Sequence, residues 1–99
     1  MTLAELLDEA ASNVGSVDRQ QVSGGVEYLV DGRAFAAMAG GTAEFWLEPL
    51  VGRAAMGTPD AVISPRGPEW VAFRPAVLDR FARDRATAWF LSAWRHARR

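Results

Sequence analysis

Residues 26–48, VEYLVDGRAFAAMAGGTAEFWLE, decide the fold, because two runs typical of β-strands flank an Asp-Gly pair within them. Asp31 and Gly32 between such runs favour a type I′ hairpin turn, in which both central residues take positive φ. The segment therefore predicts paired strands at 26–30 and 33–39.

The meander continues beyond this hairpin. A Gly-Gly-Thr turn leads into AEFWLE, where Phe45 and Leu47 point to one face and the intervening residues to the other, which predicts a third strand. Pro49 suits the first turn of a helix, since its missing N–H would be unpaired there anyway. PLVGRAAMG is accordingly predicted to form a short helix that ends at Gly57.

A proline-framed segment follows at 58–75, TPDAVISPRGPEWVAFRP. Proline cannot donate to a sheet ladder and favours extended geometry in the preceding residue. The pairing strand is therefore confined to about residues 69–73 by the three prolines that precede it, Pro59, Pro65 and Pro68. Pro75 is predicted to end this strand and begin the last helix.

Helices are predicted at both termini. Thr2 and Glu5 have the spacing of a capping box, and apolar residues at helical spacing follow them, so residues 3–13 are expected to be helical. The next stretch, SVDRQQVSGG, suggests a loop that can hold a short strand. At the C-terminus, Leu78 and Trp89 share an apolar helical face. Asp84 is a favourable N-cap residue. This region is therefore compatible either with one helix or with a short helix that leads into a longer one.

These elements predict a single α+β domain over residues 1–99. An antiparallel sheet of four or five strands is expected, packed on one face by the N- and C-terminal helices. The predicted core comprises Leu6, Leu7, Leu29, Phe35, Phe45, Leu47, Val71, Phe73, Leu78, Phe81 and Trp89.

DGRAFA at the hairpin and EWVAF on the last strand resemble the MmcQ/YjbR-like group of small bacterial α/β proteins. The likeness covers residues 26–98. It implies a double-wing fold and a DNA-binding role, and it implies no catalytic residues.

Composition narrows the functional classes. The 99 residues contain no cysteine, which excludes disulfides, thiolate metal sites and cysteine nucleophiles and favours a cytoplasmic location. The N-terminal segment lacks the pattern of a secretory signal, and no apolar stretch is long enough to span a membrane. Residues 1–50 hold eight acidic side chains and two arginines, whereas 51–99 hold four and nine, so charge is polarised along the chain.

Three groups of residues are candidates for binding. Arginines near the C-terminus could pair with phosphates of a nucleic acid: Arg74, Arg80, Arg83, Arg95, Arg98 and Arg99. Flat rings and charged groups could form a ligand pocket: Trp46, Glu48, Arg53, Arg66 and Trp70. Three apolar side chains point away from the predicted core face of the last helix and could form an interface: Phe90, Leu91 and Trp94.

No catalytic set is recognisable. His96 is the only histidine and lacks the neighbouring ligands that a metal site requires, and Ser92 lacks the glycine context of a hydrolase nucleophile. No metal or other cofactor is therefore predicted. The favoured hypothesis is a non-enzymatic interaction module that binds a copy of itself or another protein. The alternative is nucleic-acid binding through the arginine-rich C-terminal helix.

Overall fold

A computed structural model describes all 99 residues as three helices around one antiparallel sheet. The helices are α1 (Leu3–Val14), α2 (Pro49–Met56) and α3 (Arg80–Ala97). The strands are β1 (Asp18–Val22), β2 (Gly25–Val30), β3 (Arg33–Ala39), β4 (Thr42–Trp46), β5 (Ala61–Ile63) and β6 (Trp70–Phe73). Their order in the sheet is β1-β2-β3-β4-β6-β5, and every neighbouring pair is antiparallel.

The α+β class and the antiparallel meander are confirmed, but the sheet has six strands rather than four or five. The two additional strands are β1, which falls in the segment expected to be a loop with a short strand, and β5, which was not predicted. Both lie at the edges of the sheet. An edge strand pairs with one neighbouring strand only. A short extended segment is therefore enough to form it.

The predicted hairpin turn is confirmed by its backbone. Asp31 has φ +51° and Gly32 has φ +76°, as a type I′ turn requires. In β3 the register shifts by one residue opposite Tyr28 and Leu29, so that Phe35 occupies a β-bulge. In a regular strand Phe35 and Ala36 would point to opposite faces of the sheet. The bulge lets Phe35 point to the core face together with Ala36 and Tyr28, and all three are buried.

Capping defines the first two helices as predicted. The Thr2 hydroxyl accepts the Glu5 N–H and the Glu5 carboxylate accepts the Thr2 N–H, so both halves of the capping box are present. Pro49 stands in the first turn of α2 and Gly57 ends that helix. These signals act within one turn of helix, which explains why the sequence identifies them.

The start of the last helix differs from the prediction. Asp79, and not Pro75, precedes the first turn of α3, and its carboxylate accepts the Ala82 N–H. A bent segment lies between Pro75 and Asp79. The helix then runs through Asp84 without a break, which settles the choice between one helix and two.

The core lies between the sheet and the pair of helices α1 and α3. Phe90 of α3 packs edge-on against Tyr28 at 5.4 Å and Phe35 at 5.2 Å between ring centroids. The preceding residue, Trp89, packs against Phe45 and Phe73. Eight of the predicted core residues are buried: Leu6, Leu7, Phe35, Phe45, Leu47, Val71, Phe73 and Trp89.

Three core assignments require correction. Phe81 is 59 % exposed although the next residue, Ala82, is buried, because successive residues of a helix point about 100° apart and only one of these two faces the core. Leu29 and Leu78 are half-buried. In their place, Tyr28 and Phe90 are among the largest fully buried side chains.

Candidate interaction surface

Most of the large apolar side chains that this fold leaves exposed surround the edge strand β5. Five of the seven lie on or beside it: Met56, Val62, Ile63, Val77 and Phe81. Val62 and Ile63, which belong to the strand itself, are about 60 % exposed. A contiguous set of exposed apolar side chains on a small protein marks a surface that another molecule covers.

The backbone of β5 is unpaired along its outer side. Arg74 N–H bonds to the Asp60 carbonyl and Ser64 N–H to the Trp70 carbonyl, so even-numbered residues of this segment bond inward to β6. Hydrogen-bonding direction alternates along an antiparallel strand. Ala61 and Ile63 therefore point their N–H and C=O groups toward the free edge.

The opposite edge of the sheet has a different character. β1 carries the sequence Asp-Arg-Gln-Gln-Val, and its first four side chains are exposed. Arg19 of this strand forms a 3.1 Å ion pair with Asp8 of α1. Charged and polar side chains are the usual protection of an edge against pairing with another chain. β5 lacks such side chains, so the two edges are chemically unequal.

A pocket of about 230 Å³ lies at the C-terminal end of β5, beneath α2. Its floor is apolar and its rim carries one cation and one anion, and the lining residues include Leu47, Gly52, Arg53, Met56, Ile63 and Glu69. Gly52 helps to keep the pocket open, because a Cβ there would extend toward Leu47 and Val71.

A second apolar cluster lies at the N-terminal end of β5. Val77 and Phe81 border a shallow depression together with Pro59 and Asp60. Asp60 ties this cluster to the strand, because its carbonyl accepts Arg74 N–H and its carboxylate accepts Ala76 N–H. The ring of Phe81 is covered on one side by the guanidinium of its neighbour in α3, whose carbon lies 5.2 Å from the ring centroid.

The sheet face opposite the helices carries a charged network centred on Arg66. Its guanidinium donates to Glu44 at 3.0 Å and to Glu27 at 2.8 Å, and Ser64 donates to the second oxygen of Glu44. Burial lowers the pKa of Arg66, but the hydrogen bonds to both carboxylates outweigh burial and raise it. The guanidinium also lies 5.0 Å from the ring of Trp70. The network holds the β5–β6 connection against the sheet.

Another group of side chains meets at the C-terminal end of α3. The rings of Trp46 and His96 lie 4.3 Å apart, and Arg33 lies over Trp46 while donating to the Ala97 carbonyl. The indole N–H of Trp46 donates to Glu69 at 3.2 Å. These contacts join the end of α3 to the ends of β3 and β4.

The five residues expected to form a ligand pocket are distributed over three places. Arg66 and Trp70 are in contact, and Trp70 is the cross-strand partner of Trp46. Glu48 instead forms a 3.1 Å ion pair with Arg99. Of the five, only Arg53 lines the pocket beneath α2.

The six C-terminal arginines form separate groups rather than one stripe. Arg80 and Arg83 lie in the first turn of α3, and Arg95 is about 18 Å further along the helix, at 1.5 Å per residue. Of the residues between them, the exposed Asp84 and Ala88 carry no positive charge, and the one further arginine, Arg85, is only partly exposed. Arg74 stands at the end of β6, Arg98 lies over the ring of Trp94, and Arg99 pairs with Glu48.

The proposed interface residues of α3 are mostly covered by this chain. Phe90 is fully buried, so its assignment to an exposed patch is corrected. Leu91 and Trp94 are half-buried. Phe90 is covered because its ring packs against Tyr28 and Phe35 of the sheet, so this side of α3 faces the core.

Sequence reasoning missed the residues that form the exposed surface at β5. One signal could have found them, namely the positions of the prolines. The segment Ala61–Ile63 lies between Pro59 and Pro65, just as Trp70–Phe73 lies between Pro68 and Pro75. The same argument from proline positions thus predicts a second short strand there.

No group of three or more histidine, aspartate or glutamate side chains is arranged to hold a metal ion. None of the three helices combines the length and apolarity needed to cross a membrane. Comparison with family models, curated proteins and solved structures finds no match.

Proposed function

We propose that this protein is an interaction module that associates with a second copy of itself through the surface around β5. The observation that carries the proposal is the coincidence of an unpaired apolar edge strand with exposed apolar side chains at both of its ends. The exposed side chains supply area and the strand edge supplies directional hydrogen bonds. The β1 edge also has unpaired backbone groups, but its exposed side chains are polar or charged instead of apolar.

The size of the surface sets the expected affinity. Full burial of a large apolar side chain contributes about 1.5–3 kcal/mol, so covering a side chain that is half exposed contributes about 1 kcal/mol. A two-fold dimer covers five such side chains on each copy, which together contribute about 10 kcal/mol and exceed the lower estimates of the cost of association, about 4 kcal/mol, by about 6 kcal/mol. We therefore expect a dimer that dissociates in the micromolar to millimolar range.

Sedimentation velocity over that range of concentration tests the proposal. The native chain should pass from monomer to dimer as its concentration rises. Phe81→Lys should shift this transition to higher concentration by roughly tenfold or more, since a charge would replace an apolar contact at the interface. Gln20→Lys, an equally exposed change at the β1 edge, is the matched control and should leave the transition unchanged. A chain that stays monomeric throughout contradicts the proposal.

A DNA arm belongs in the same experiment, because the resemblance to the MmcQ/YjbR-like group implies DNA binding. If the C-terminal arginines bind a duplex, a mobility shift should weaken steeply with salt and decrease in a double variant of Arg95 and Arg98. Binding of that kind by a chain that remains monomeric would replace the self-association proposal with the nucleic-acid alternative.

A further inference from the structure

We infer that the second copy binds by antiparallel pairing of β5 with β5, about a two-fold axis that passes beside Val62. This inference rests on the proposed function and specifies its geometry. It concerns which residues meet, and it can fail even if the chain forms a dimer.

The direction of the free backbone groups selects the register. Ala61 and Ile63 present their N–H and C=O groups outward, whereas Val62 bonds inward to β6. If Ala61 of one copy lies opposite Ile63 of the other, both free residues of each strand exchange both of their bonds. Val62 then lies opposite Val62 of the second copy, on the axis, in a pair without backbone hydrogen bonds.

The flanking residues limit how far the strands can slide. Shifting one strand by two residues places Ile63 opposite Ile63 and Ala61 opposite Pro65, which has no N–H to donate. The opposite shift pairs Ala61 with Ala61 and brings Ile63 against Pro59. Asp60, with φ +67°, also turns the chain out of the extended conformation before β5. The central register is therefore the one that satisfies every free group.

The two apolar clusters then become complementary. Met56 and Ile63 lie at the C-terminal end of β5, and Val77 and Phe81 lie at its N-terminal end. Ala61 and Ile63 pair with Phe73 and Val71, which are buried on the helix side of the sheet, so both clusters lie toward that side. An antiparallel pair reverses the ends of one strand relative to the other. The cluster of Met56 and Ile63 in each copy therefore faces the cluster of Val77 and Phe81 in the other copy. The two-fold axis repeats this contact, so it is made twice.

Two-fold symmetry explains why pairing at this edge would stop at two chains and would not continue into a larger assembly. A two-fold contact uses the same surface on both copies and is complete at two chains. The edges of the resulting twelve-stranded sheet would both be β1, whose charged and polar side chains disfavour further pairing.

Cysteine cross-linking tests the axis directly, because the native chain contains no cysteine. Across a pair without hydrogen bonds the Cα atoms lie about 4.5 Å apart, which falls within the range that a disulfide spans, about 4.4–6.8 Å. Val62→Cys should therefore give covalent dimers under mild oxidation. Ile63→Cys would lie diagonally across the axis at about 7–8 Å, beyond that reach. Gln20→Cys reports on the β1 edge.

We expect Val62→Cys to cross-link roughly tenfold or more faster than the other two variants at the same concentration, since only it meets the distance requirement. Each variant is also sedimented in the reduced state, which shows whether it is a dimer before oxidation. A dimer that cross-links fastest through Ile63→Cys or Gln20→Cys, or through none of them, overturns the inferred axis and leaves self-association intact. A chain that is monomeric at every concentration overturns both.

Discussion

The hydroxyl of Tyr28 in β2 donates a 2.6 Å hydrogen bond to the carboxylate of Asp8 in α1, and it joins the sheet to the helix that covers it. Burial raises the pKa of the Tyr28 hydroxyl well above its usual value of 10, and the hydrogen bond to Asp8 raises it further. Tyr28 is the only tyrosine of the chain, so its ionisation can be followed without interference from another phenol.

Alkaline pH should destabilise the protein through Tyr28. The pKa of Tyr28 is higher in the folded chain than in the unfolded chain, so the unfolded chain loses this proton at lower pH. The contribution of Tyr28 to the free energy of unfolding is therefore fully present below pH 10 and decreases above it. We expect tyrosinate absorbance and loss of helical circular dichroism to rise together in a single alkaline transition. Asp8→Asn, which removes the charged acceptor, should move that transition to lower pH. Tyrosinate that forms while the fold is intact would contradict the prediction.

Two phenylalanines of α3 provide a matched test of the core. Phe90→Ala should lower the free energy of unfolding by about 3–5 kcal/mol, because it leaves a cavity between two aromatic rings of the sheet. Phe81→Ala is the same chemical change at a ring that is 59 % exposed, and it should lower it by less than about 1 kcal/mol. Chemical denaturation at a concentration where the chain is monomeric measures both. Similar losses would mean that Phe81 is not exposed in the monomer.

Removal of Arg66 should destabilise the sheet. Arg66→Ala leaves Glu27 and Glu44 without their shared cation, and Glu44 is only 8 % exposed. We expect a loss of about 2–4 kcal/mol at neutral pH, since this pair is less buried than those for which 3–5 kcal/mol is typical. Chemical denaturation at neutral pH measures this loss.

Arg99→Ala is the control for that variant. Its ion pair with Glu48 is largely solvent-exposed, so its removal should change the stability by at most about 1 kcal/mol. Equal losses for the two arginine variants would contradict the role assigned to the network.

A glycine in the middle of α2 offers a stabilising substitution. A Cβ at Gly52 would lie 3.9 Å from Leu47 and 4.0 Å from Val71, which is ordinary contact. Gly52→Ala should therefore raise the free energy of unfolding by about 0.5–1 kcal/mol through higher helix propensity. At Gly25 a Cβ would lie 1.8 Å from the Met38 carbonyl oxygen, so Gly25→Ala should destabilise by about 2 kcal/mol or more. Thermal unfolding of the two variants should give melting temperatures on opposite sides of the native value.

Local signals account for the parts of the fold that the sequence predicts. The capping box of Thr2 and Glu5 and the turn at Asp31 and Gly32 each act through hydrogen bonds or backbone angles within a few residues. Pro68 and Pro75 frame β6 in the same way. Such constraints do not depend on what the rest of the chain does, so they can be identified from a single sequence.

Burial on α3 could not be predicted in the same manner. Helical periodicity gives the relative directions of Phe81, Trp89 and Phe90 but not the number of faces that become covered. The sheet covers the side that carries Phe90 as well as the side that carries Trp89, because both rings pack against aromatic rings of its strands. Phe81 stays exposed although the next residue, Ala82, is buried, because successive residues of a helix point about 100° apart.

The sequence by itself determined the hairpin of β2 and β3, the strand β6 and the capped start of α1, because those features arise from neighbours along the chain. Only the tertiary structure decided which strand became an apolar edge and which side chains gathered at its two ends. Ile63 and Phe81 are 18 residues apart in the chain and lie toward the same side of the sheet, since β5 pairs with β6 and α3 begins shortly after it. Contacts between distant segments depend on how whole elements pack, and that information is not contained in any local pattern.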